Sequence, residues 1–225
     1  MEEVLKISMS TYSYSSSSNY YGFKATIIPN YDGGNHITFD NENITTVTNL
    51  KKAKEGTNIK LKYLLDENKD VGSFKVNGKL IEGNHFVMPD EDVKITDVRI
   101  GDVIESEHYP YPNSLYNKIY GERKYDGATS LTVILEYQTY STSYPVRLFN
   151  TPDSTTPIGT YGGTTRKTEV LNIEGDYIKI NMSSSSSSSS NNYYGFKVII
   201  IPHYGTFNIT VENNAVVPDK NNQPY

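Results

Sequence analysis

The strongest constraint in this sequence is a long internal repeat. Residues 20–24 and 193–197 both read Tyr-Tyr-Gly-Phe-Lys, and in each copy the motif follows a run of serines. The residues on both sides also match, from Ile7 to Tyr31, at a constant offset of 173 positions. A constant offset over that length indicates a tandem repeat. Because 225 residues hold little more than one repeat unit, we expect a piece of a modular array.

Composition excludes several classes of function. The 21 Lys and Arg residues against 26 Asp and Glu give a net charge of −5, so the dense basic surface that nucleic-acid binding needs is not expected. The sequence has no cysteine, which excludes disulfides and thiolate metal sites. No apolar run approaches the ~18 residues of a membrane-spanning helix. We therefore expect no nucleic-acid partner and no membrane insertion within this chain.

The first residues do not read as a signal peptide. Met1-Glu2-Glu3 is acidic, and no hydrophobic segment of the required length follows it. If the protein is secreted, we expect its signal and any anchor to lie outside this stretch.

Apolar and polar residues alternate along most of the chain, and no segment has the period of a helix. In residues 59–63 the apolar side chains share one face and the lysines the other, as a half-buried strand requires. Residues 131–137, 178–182 and 196–201 show the same alternation, and the last is apolar enough for a central strand. The pattern predicts an all-β fold.

Turn signals divide the first half of the chain. The polar cluster at 40–43 should interrupt strand structure across 37–48. Asn77-Gly78 tolerates the positive φ angles of a type I′ turn, so residues 79–81 should return antiparallel to the strand before it.

Further strands are expected nearer the ends and in the middle of the chain. One strand should carry Val93 and Ile95 and end at a boundary around residues 98–102. Residues 4–9 and 22–29 should form a hairpin around a Ser- and Tyr-rich loop. Residues 109–113 should be extended because of their two prolines.

Residues 36–98 carry an ordered set of short motifs: Lys54-Glu55-Gly56-Thr57 before an alternating strand, Val76-Asn77-Gly78-Lys79, Phe86-Val87-Met88-Pro89 and Asp92-Val93. In that order they resemble the divergent internalin-type B-repeat, a family of small all-β spacer modules in bacterial surface proteins. The resemblance implies a B-repeat-like module at 36–98. The charged residues 66–71 depart from the family's usual Gly-aromatic turn.

Residues 99–203 contain several short strands and no helical segment, which indicates a β-sandwich. Their order of motifs resembles a CUB domain: Tyr109-Pro110-Tyr111-Pro112-Asn113, the strand at 130–136, Ile158-Gly159-Thr160-Tyr161-Gly162-Gly163, and the closing Gly195-Phe196-Lys197-Val198. The resemblance implies a jelly-roll type of sandwich.

Together the two resemblances imply an alternating array. Residues 1–35 would be the C-terminal strands of a preceding CUB-like domain, with the repeated copy itself at 1–31. Residues 204–225 would begin a further B-repeat-like module. Neighbouring repeats of the same chain are then expected partners of each module.

The CUB resemblance raises the question of calcium, which many members of that family hold with a Glu and two Asp at one end of the sandwich. The corresponding loops here, 138–145 and 183–192, contain no carboxylate. Calcium takes six to eight oxygen ligands with carboxylates among them. We therefore expect no metal ion at this end, and no other cofactor.

No set of residues indicates catalysis. The four histidines share no ligand spacing, and no serine lies in a Gly-x-Ser-x-Gly elbow. Glu105 and Glu107 are a conceivable glycosidase pair because they would share one face of a strand, but the sequence does not establish their separation. We predict that this region is not an enzyme.

The two loops do have the composition of recognition loops, in which Tyr supplies rigid contact area and Asn and Ser supply hydrogen bonds. We predict that Tyr140 and Tyr144 on one loop meet Asn191, Asn192 and Tyr193 on the other and bind a glycan or protein partner. The alternative is that the tyrosines only pack against the sandwich end. The serine run at 183–190 is predicted to be a mobile polar loop.

These expectations lead to a functional hypothesis: an extracellular, non-catalytic region of a bacterial cell-surface or secreted protein that mediates adhesion or ligand binding. Two alternatives remain open from the sequence. The region could be an accessory part of a large secreted hydrolase whose catalytic domain lies elsewhere, or a purely structural stalk.

Overall fold

The computed structural model describes Ile7 and residues 33–108, 114–185 and 193–205. The described part contains fifteen β-strands and no helix, so the prediction of an all-β fold is confirmed. With no helix in those ranges, none is present that could cross a membrane. The strands expected at 4–9 and 22–29 and the extended segment at 109–113 lie outside the described residues, apart from Ile7.

The strands are numbered in chain order. They are β1 (Asn35–Phe39), β2 (Ile44–Thr46), β3 (Lys52–Ala53), β4 (Asn58–Tyr63), β5 (Lys69–Val76), β6 (Lys79–Glu82), β7 (His85–Val87), β8 (Val93–Glu105), β9 (Lys118–Lys124), β10 (Ala128–Gln138), β11 (Val146–Phe149), β12 (Gly159–Tyr161), β13 (Lys167–Glu174), β14 (Tyr177–Met182) and β15 (Gly195–Tyr204).

The local turn predictions are confirmed. Asn77 and Gly78 have φ angles of 48° and 85°, as a type I′ turn requires, and Val76 pairs with Lys79 across it. The polar cluster at 40–43 separates β1 from β2. In β4, Ile59 and Leu61 are buried while the lysines between them are exposed.

A large hydrophobic core lies between a four-stranded sheet, ordered β12-β11-β14-β9, and the β13-β10-β15-β8 part of the main sheet. This arrangement is sandwich-like, and the predicted alternation selects which side chains face inward. The buried members of this large core are Ile104, Leu131, Val133, Leu135, Tyr137, Val146, Leu148, Ile173, Ile178, Ile180, Met182, Phe196, Val198 and Ile200. As predicted, β15 is a central strand, paired with β10 on one edge and β8 on the other.

A separate small core lies earlier in the chain. Here the three-stranded sheet β2-β4-β7 packs against β1, β3, β5 and the first half of β8. Phe74 and Phe86 meet edge to face with ring centroids 5.9 Å apart. The buried members of this small core are Ile37, Ile44, Ala53, Ile59, Leu61, Val71, Phe74, Phe86, Met88, Val93 and Ile95.

One strand belongs to both cores. The strand that the sequence predicts to end around residues 98–102 continues to Glu105, giving the thirteen residues of β8. Its first half pairs in parallel with β1 and its second half pairs antiparallel with β15, while β5 follows it across both halves, from Ile95 to Asp102. Because β5 pairs with β8 on both sides of the change of core, with register shifts near Ser73, the strand continues through it.

Two glycines allow the main sheet to pack closely at the junction of the cores. A Cβ on Gly101 would lie 2.6 Å from the Ile200 carbonyl oxygen and 2.7 Å from Ile199 Cγ2. A Cβ on Gly72 would overlap the side chain of Ile201. Ile199 and Ile201 are only 4% and 6% exposed, and they pack with Ile134 and Val103 in a third apolar cluster. The junction is therefore packed as tightly as a core.

Ion pairs close the same junction. Lys197 Nζ on β15 lies 2.7 Å from Asp70 Oδ2 on β5, and the two side chains are 20% and 10% exposed. The Asp70 carboxylate also accepts hydrogen bonds from the Val71 backbone N–H at 2.8 Å and from the Asn84 side-chain amide at 3.1 Å. A buried carboxylate is stable only with such a full set of partners. Asp70 therefore depends on residues that are up to 127 positions away in sequence.

We expect the Gly101→Ala variant to lose about 1–3 kcal/mol of unfolding free energy, because the added methyl group forces β8 and β15 apart against backbone atoms. Urea denaturation measures this loss. Gly205→Ala is the matched control, since its nearest neighbour is a methyl group at an ordinary 3.6 Å. Equal stability of the two variants would contradict the packing described for this junction.

Candidate functional site

Two loops leave the sheets at the same end of the large core. Residues 139–145 connect β10 to β11, and residues 183–194 connect β14 to β15. Gln138 pairs with Gly195 and Val146 pairs with Met182, so both loops start and finish on adjacent strands. The backbone N–H of Tyr194 also donates to Gln138 Oε1 at 3.2 Å.

Three of the five predicted site residues lie together at this end. The ring of Tyr140 meets Tyr144 with centroids 5.9 Å apart and meets Tyr193 at 6.0 Å, both edge-on. All three side chains are half-buried. We call these three residues the tyrosine cluster. Asn191 and Asn192 lie outside the described residues.

The tyrosine cluster also has a structural role. Tyr140 and Tyr193 pack against the large core, whereas Tyr144 does not belong to that packing. Edge-to-face pairs contribute about 0.5–1.5 kcal/mol each beyond the area they bury. The rings are therefore held in place before any partner arrives, and ligand binding by this cluster remains a prediction.

A third loop, between β12 and β13, holds the loop at 139–145 in position through hydrogen bonds. Thr139 is fully buried; its backbone N–H donates to the Gly163 carbonyl at 2.9 Å, and its hydroxyl accepts from the Gly163 N–H at 3.0 Å. Gly162 lies so close that a Cβ there would be 3.0 Å from the Ser141 carbonyl oxygen. These bonds fix residues 139–141, and with them the position of Tyr140.

The start of the serine run differs from the prediction of a mobile polar loop. Ser183 and Ser184 are 6% and 4% exposed. The Ser183 hydroxyl accepts from Arg147 and from the Asn117 N–H, each at 3.1 Å, and the Ser184 hydroxyl accepts from the Leu115 N–H. Small hydroxyl side chains fit here because they satisfy backbone donors of the loop at 114–117. Residues 186–192 lie outside the described part of the chain.

A stack of three side chains lies beside the tyrosine cluster. Tyr194 is 7% exposed and has the guanidinium carbon of Arg166 3.6 Å from its ring centroid. His108 stacks on Tyr194 with centroids 4.2 Å apart and ring planes 7° from parallel. Arg166 in turn donates to Glu136 Oε1 at 2.6 Å. Burial raises the pKa of the Tyr194 hydroxyl well above its ordinary value.

The partners of His108 favour its charged form. Nδ1 lies 2.7 Å from the Tyr194 carbonyl oxygen and Nε2 lies 3.0 Å from Glu105 Oε2, and both of these oxygens can only accept. Burial and the nearby Lys197 oppose protonation, but the bonds to Glu105 and Tyr194 outweigh them and raise the pKa of His108. When His108 is protonated, the Tyr194 ring lies between two cations, an arrangement that cation–π attraction stabilises.

Sequence reasoning did not find this stack. Its members are far apart in the chain: 86 residues separate His108 from Tyr194. The single signal available was the repeat itself, since Tyr194 is the second residue of the repeated Tyr-Tyr-Gly-Phe-Lys motif.

We expect the stabilisation that His108 provides to decrease as pH rises. Its pKa in the folded protein is above the ordinary value of 6.5, so its contribution to stability is complete below about pH 6.5 and is lost as pH rises through the folded pKa. The difference in unfolding free energy between the wild type and His108→Gln should therefore shrink from pH 5 to pH 9. Chemical denaturation at each pH measures it.

His36→Gln is the control for this experiment, because His36 is exposed on β1 and its ring takes no part in the stack. The groups that act on His108 are Glu105, Lys197 and the Tyr194 carbonyl, with Arg166 on the far face of the tyrosine. A difference that grows with pH would mean that His108 is neutral in the folded protein.

The conceivable glycosidase pair is held differently from a catalytic pair. Glu107 binds Lys118 Nζ at 2.9 Å and the Tyr120 hydroxyl at 2.7 Å. Burial disfavours the charged carboxylate, but these bonds outweigh that effect and lower the pKa of Glu107 to about 2. The bond to His108 lowers the pKa of Glu105 as well. A glycosidase acid needs a raised pKa, which neither carboxyl has.

No group of three or more His, Asp or Glu side chains within the described ranges is arranged to hold a metal ion. Comparison with family models, with curated proteins and with solved structures found no match to the chain.

Proposed function

We propose that the chain is a non-catalytic, extracellular region of a bacterial cell-surface or secreted protein, built from CUB-like sandwich domains on B-repeat-like spacers. Two features support this proposal. The small core draws on residues 37–95 and the large core on residues 104–200, which agrees with units at 36–98 and 99–203. The 173-residue offset of the repeat is close to the combined length of these two units, which together span 36–203. A short linker accounts for the difference.

The role we assign to the large-core unit is adhesion through a glycan or protein ligand. The observation that carries this assignment is the tyrosine cluster, where rings from two loops form one fixed aromatic surface. Tyrosine presents a flat apolar face and a polar hydroxyl, and it loses little conformational entropy when it binds. Such a surface suits the apolar face of a sugar ring or a small apolar patch on a protein.

We expect Tyr144→Ala to weaken ligand binding by about tenfold, because a central interface tyrosine contributes more than about 1 kcal/mol to binding. The ligand is first identified with a glycan array and with an affinity pull-down from host-cell surface extract, both using the full chain. Affinity is then measured by titration calorimetry. Tyr144 is chosen because it can be removed without opening the large core.

Tyr204→Ala is the matched control for this variant. Tyr204 is 55% exposed and ends β15 at the opposite end of the large core. Unchanged affinity of Tyr144→Ala, or an equal loss in Tyr204→Ala, would place the ligand elsewhere. If the wild type binds nothing in either screen, the result favours the second candidate function below.

A structural spacer is the second candidate, and the junction between the cores favours it. A stalk has to hold successive modules at a fixed angle, and β8 passes through both cores without a linker. The Asp70–Lys197 pair and the packing of Ile199 and Ile201 also hold the junction. A binding array would tolerate flexible joints, whereas a stalk would not.

We expect Asp70→Ala to cost about 2–3 kcal/mol of stability, because it leaves the largely buried ammonium of Lys197 without its partner. A double-mutant cycle with Lys197→Met, measured by urea denaturation, isolates the coupling between the two side chains. Small-angle scattering of each variant reports whether the modules keep their relative orientation.

Lys75→Met is the control for this cycle. Its partner Asp97 is 63% exposed, so the loss should be clearly smaller. Additive effects of Asp70→Ala and Lys197→Met, with unchanged scattering, would show that this pair does not hold the junction.

A further inference from the structure

One edge of the main sheet is open. β13 lies at the end of that sheet and pairs with β10 through eight consecutive positions, from Lys167 to Glu174. No register shift interrupts this pairing. In the part of the chain that the structure describes, no strand covers the other side of β13. Such an edge presents a row of backbone donors and acceptors to other chains.

The hydrogen-bond pattern shows which backbone groups lie at the open edge. The Gly175 N–H donates to the Thr129 carbonyl at 2.9 Å. Because bonding alternates along an antiparallel pair, the odd-numbered residues of β13 bond to β10, and the even-numbered residues point their N–H and C=O groups away from it. Within the described ranges no other residue bonds to the backbone of these even-numbered residues, which are Thr168, Val170, Asn172 and Glu174.

The other edge strands of the described structure are protected in ways that proteins commonly use. β2, β7 and β12 have three residues each, β3 has two and β6 has four. β9 has seven residues, but a register shift at Tyr120 interrupts it, and four of its side chains are charged. β13 is longer than all of these and regular, and its centre at 170–173 has no charge and no proline.

The two ends of β13 carry opposite charges. Arg166 and Lys167 lie where the strand begins, and Glu174 and Asp176 lie where it ends. In an antiparallel pair of two such strands, the basic end of each strand meets the acidic end of the other. A parallel pair would place like charges side by side, which is destabilising. The open edge is therefore complementary to a second, antiparallel copy of itself.

We infer that β13 is the interface through which two copies of this chain pair, edge to edge and antiparallel, so that their main sheets form one continuous sheet. The pairing is centred on Leu171, which lies opposite Leu171 of the second copy. Val170 then lies opposite Asn172 of that copy. Thr168 lies opposite Glu174, so that every open backbone group of β13 has a partner. A twofold pairing uses both open edges and closes at two chains.

The side chains favour this register over its neighbours. Leu171 and Ile173 face the large core, and Leu171 is only partly buried there. A pair centred on Leu171 brings both leucines together beside both Ile173 side chains, which extends the apolar core across the interface. It also displaces Glu169 from its own copy by about 13 Å along the strands, whereas a pair centred on Val170 would leave about 7 Å between the two carboxylate positions.

The interface is small, so two single chains pair weakly. Two strands of this length bury less than the roughly 1,200 Å² of a stable complex. An array with several copies of the sandwich would pair at several edges at once, and its combined affinity would rise steeply with each added copy. That strengthening rests on the array proposed above, but the pairing itself does not. Neighbouring arrays thereby become partners of one another without any further ligand.

Sedimentation equilibrium of the full chain tests the pairing. We expect a reversible monomer–dimer equilibrium at about 0.1–1 mM protein, as suits so small an interface. Val170→Pro should raise the dissociation constant at least about tenfold, because it removes an N–H from the open edge and leaves the bonds of the odd-numbered residues to β10 in place. Val170→Thr is the matched control. It keeps the N–H and the β-branch, so it should dimerise as the wild type does.

Cysteine cross-linking tests the register, since the chain has no cysteine of its own. Under mild oxidation Leu171→Cys should form a disulfide-linked dimer, because its Cα atoms lie about 4.5 Å apart across the twofold axis, within disulfide range. Thr168→Cys and Glu174→Cys should link when the two variants are mixed. Each alone should link at least tenfold more slowly, because it lies about 20 Å from its own copy.

Three outcomes would overturn the inference. A chain that stays monomeric at about 1 mM would leave the open edge to a strand of another protein. Dimerisation of Val170→Pro at the wild-type level would place the interface elsewhere. Equal cross-linking of Leu171→Cys and of Thr168→Cys alone would exclude a pairing centred on Leu171, whether or not Val170→Pro folds. Tyr144→Ala should dimerise as the wild type does, which separates this inference from the adhesion proposal.

Discussion

The structure depends on one shared strand. β8 contributes Val93 and Ile95 to the small core and Ile104 to the large core, and β5 pairs with it across the change. Because β5 pairs with β8 on both sides of the change of core, the two cores cannot turn relative to one another without breaking part of that pairing. The close packing at Gly101 and the Asp70–Lys197 pair lie at the same change of core.

Each residue of the Tyr-Tyr-Gly-Phe-Lys motif at 193–197 has its own structural role. Tyr193 belongs to the tyrosine cluster, and Tyr194 lies between Arg166 and His108. Gly195 has a φ of 80° and faces the Ser106 hydroxyl where a side chain would stand, and Phe196 is fully buried. Lys197 reaches the small-core side. Five consecutive residues thus connect the loop end, the large core and the small-core side.

Much of the fold could be predicted from the sequence because inward and outward residues alternate along β4, β10, β14 and β15. Edge strands β9 and β13 escaped prediction, since most of their side chains are exposed and their sequences show no regular apolar alternation. The length of β8 could not be predicted for another reason. The partner strands β5 and β15 determine it, and nothing in the local sequence of β8 indicates those partners. At the candidate site, loop composition indicated the tyrosines, whereas the His108–Tyr194 contact joins residues that only the folded sheet brings together.

The continuity of β8 also determines which pieces of the chain can fold by themselves. A fragment that begins at residue 99 would retain only the second half of the strand, and it would lose β5 as the partner of that half. Ile199 and Ile201 would be uncovered where Gly72 now lies against them. The two cores should therefore unfold in a single cooperative transition, so that the unit of folding does not begin or end at residue 99.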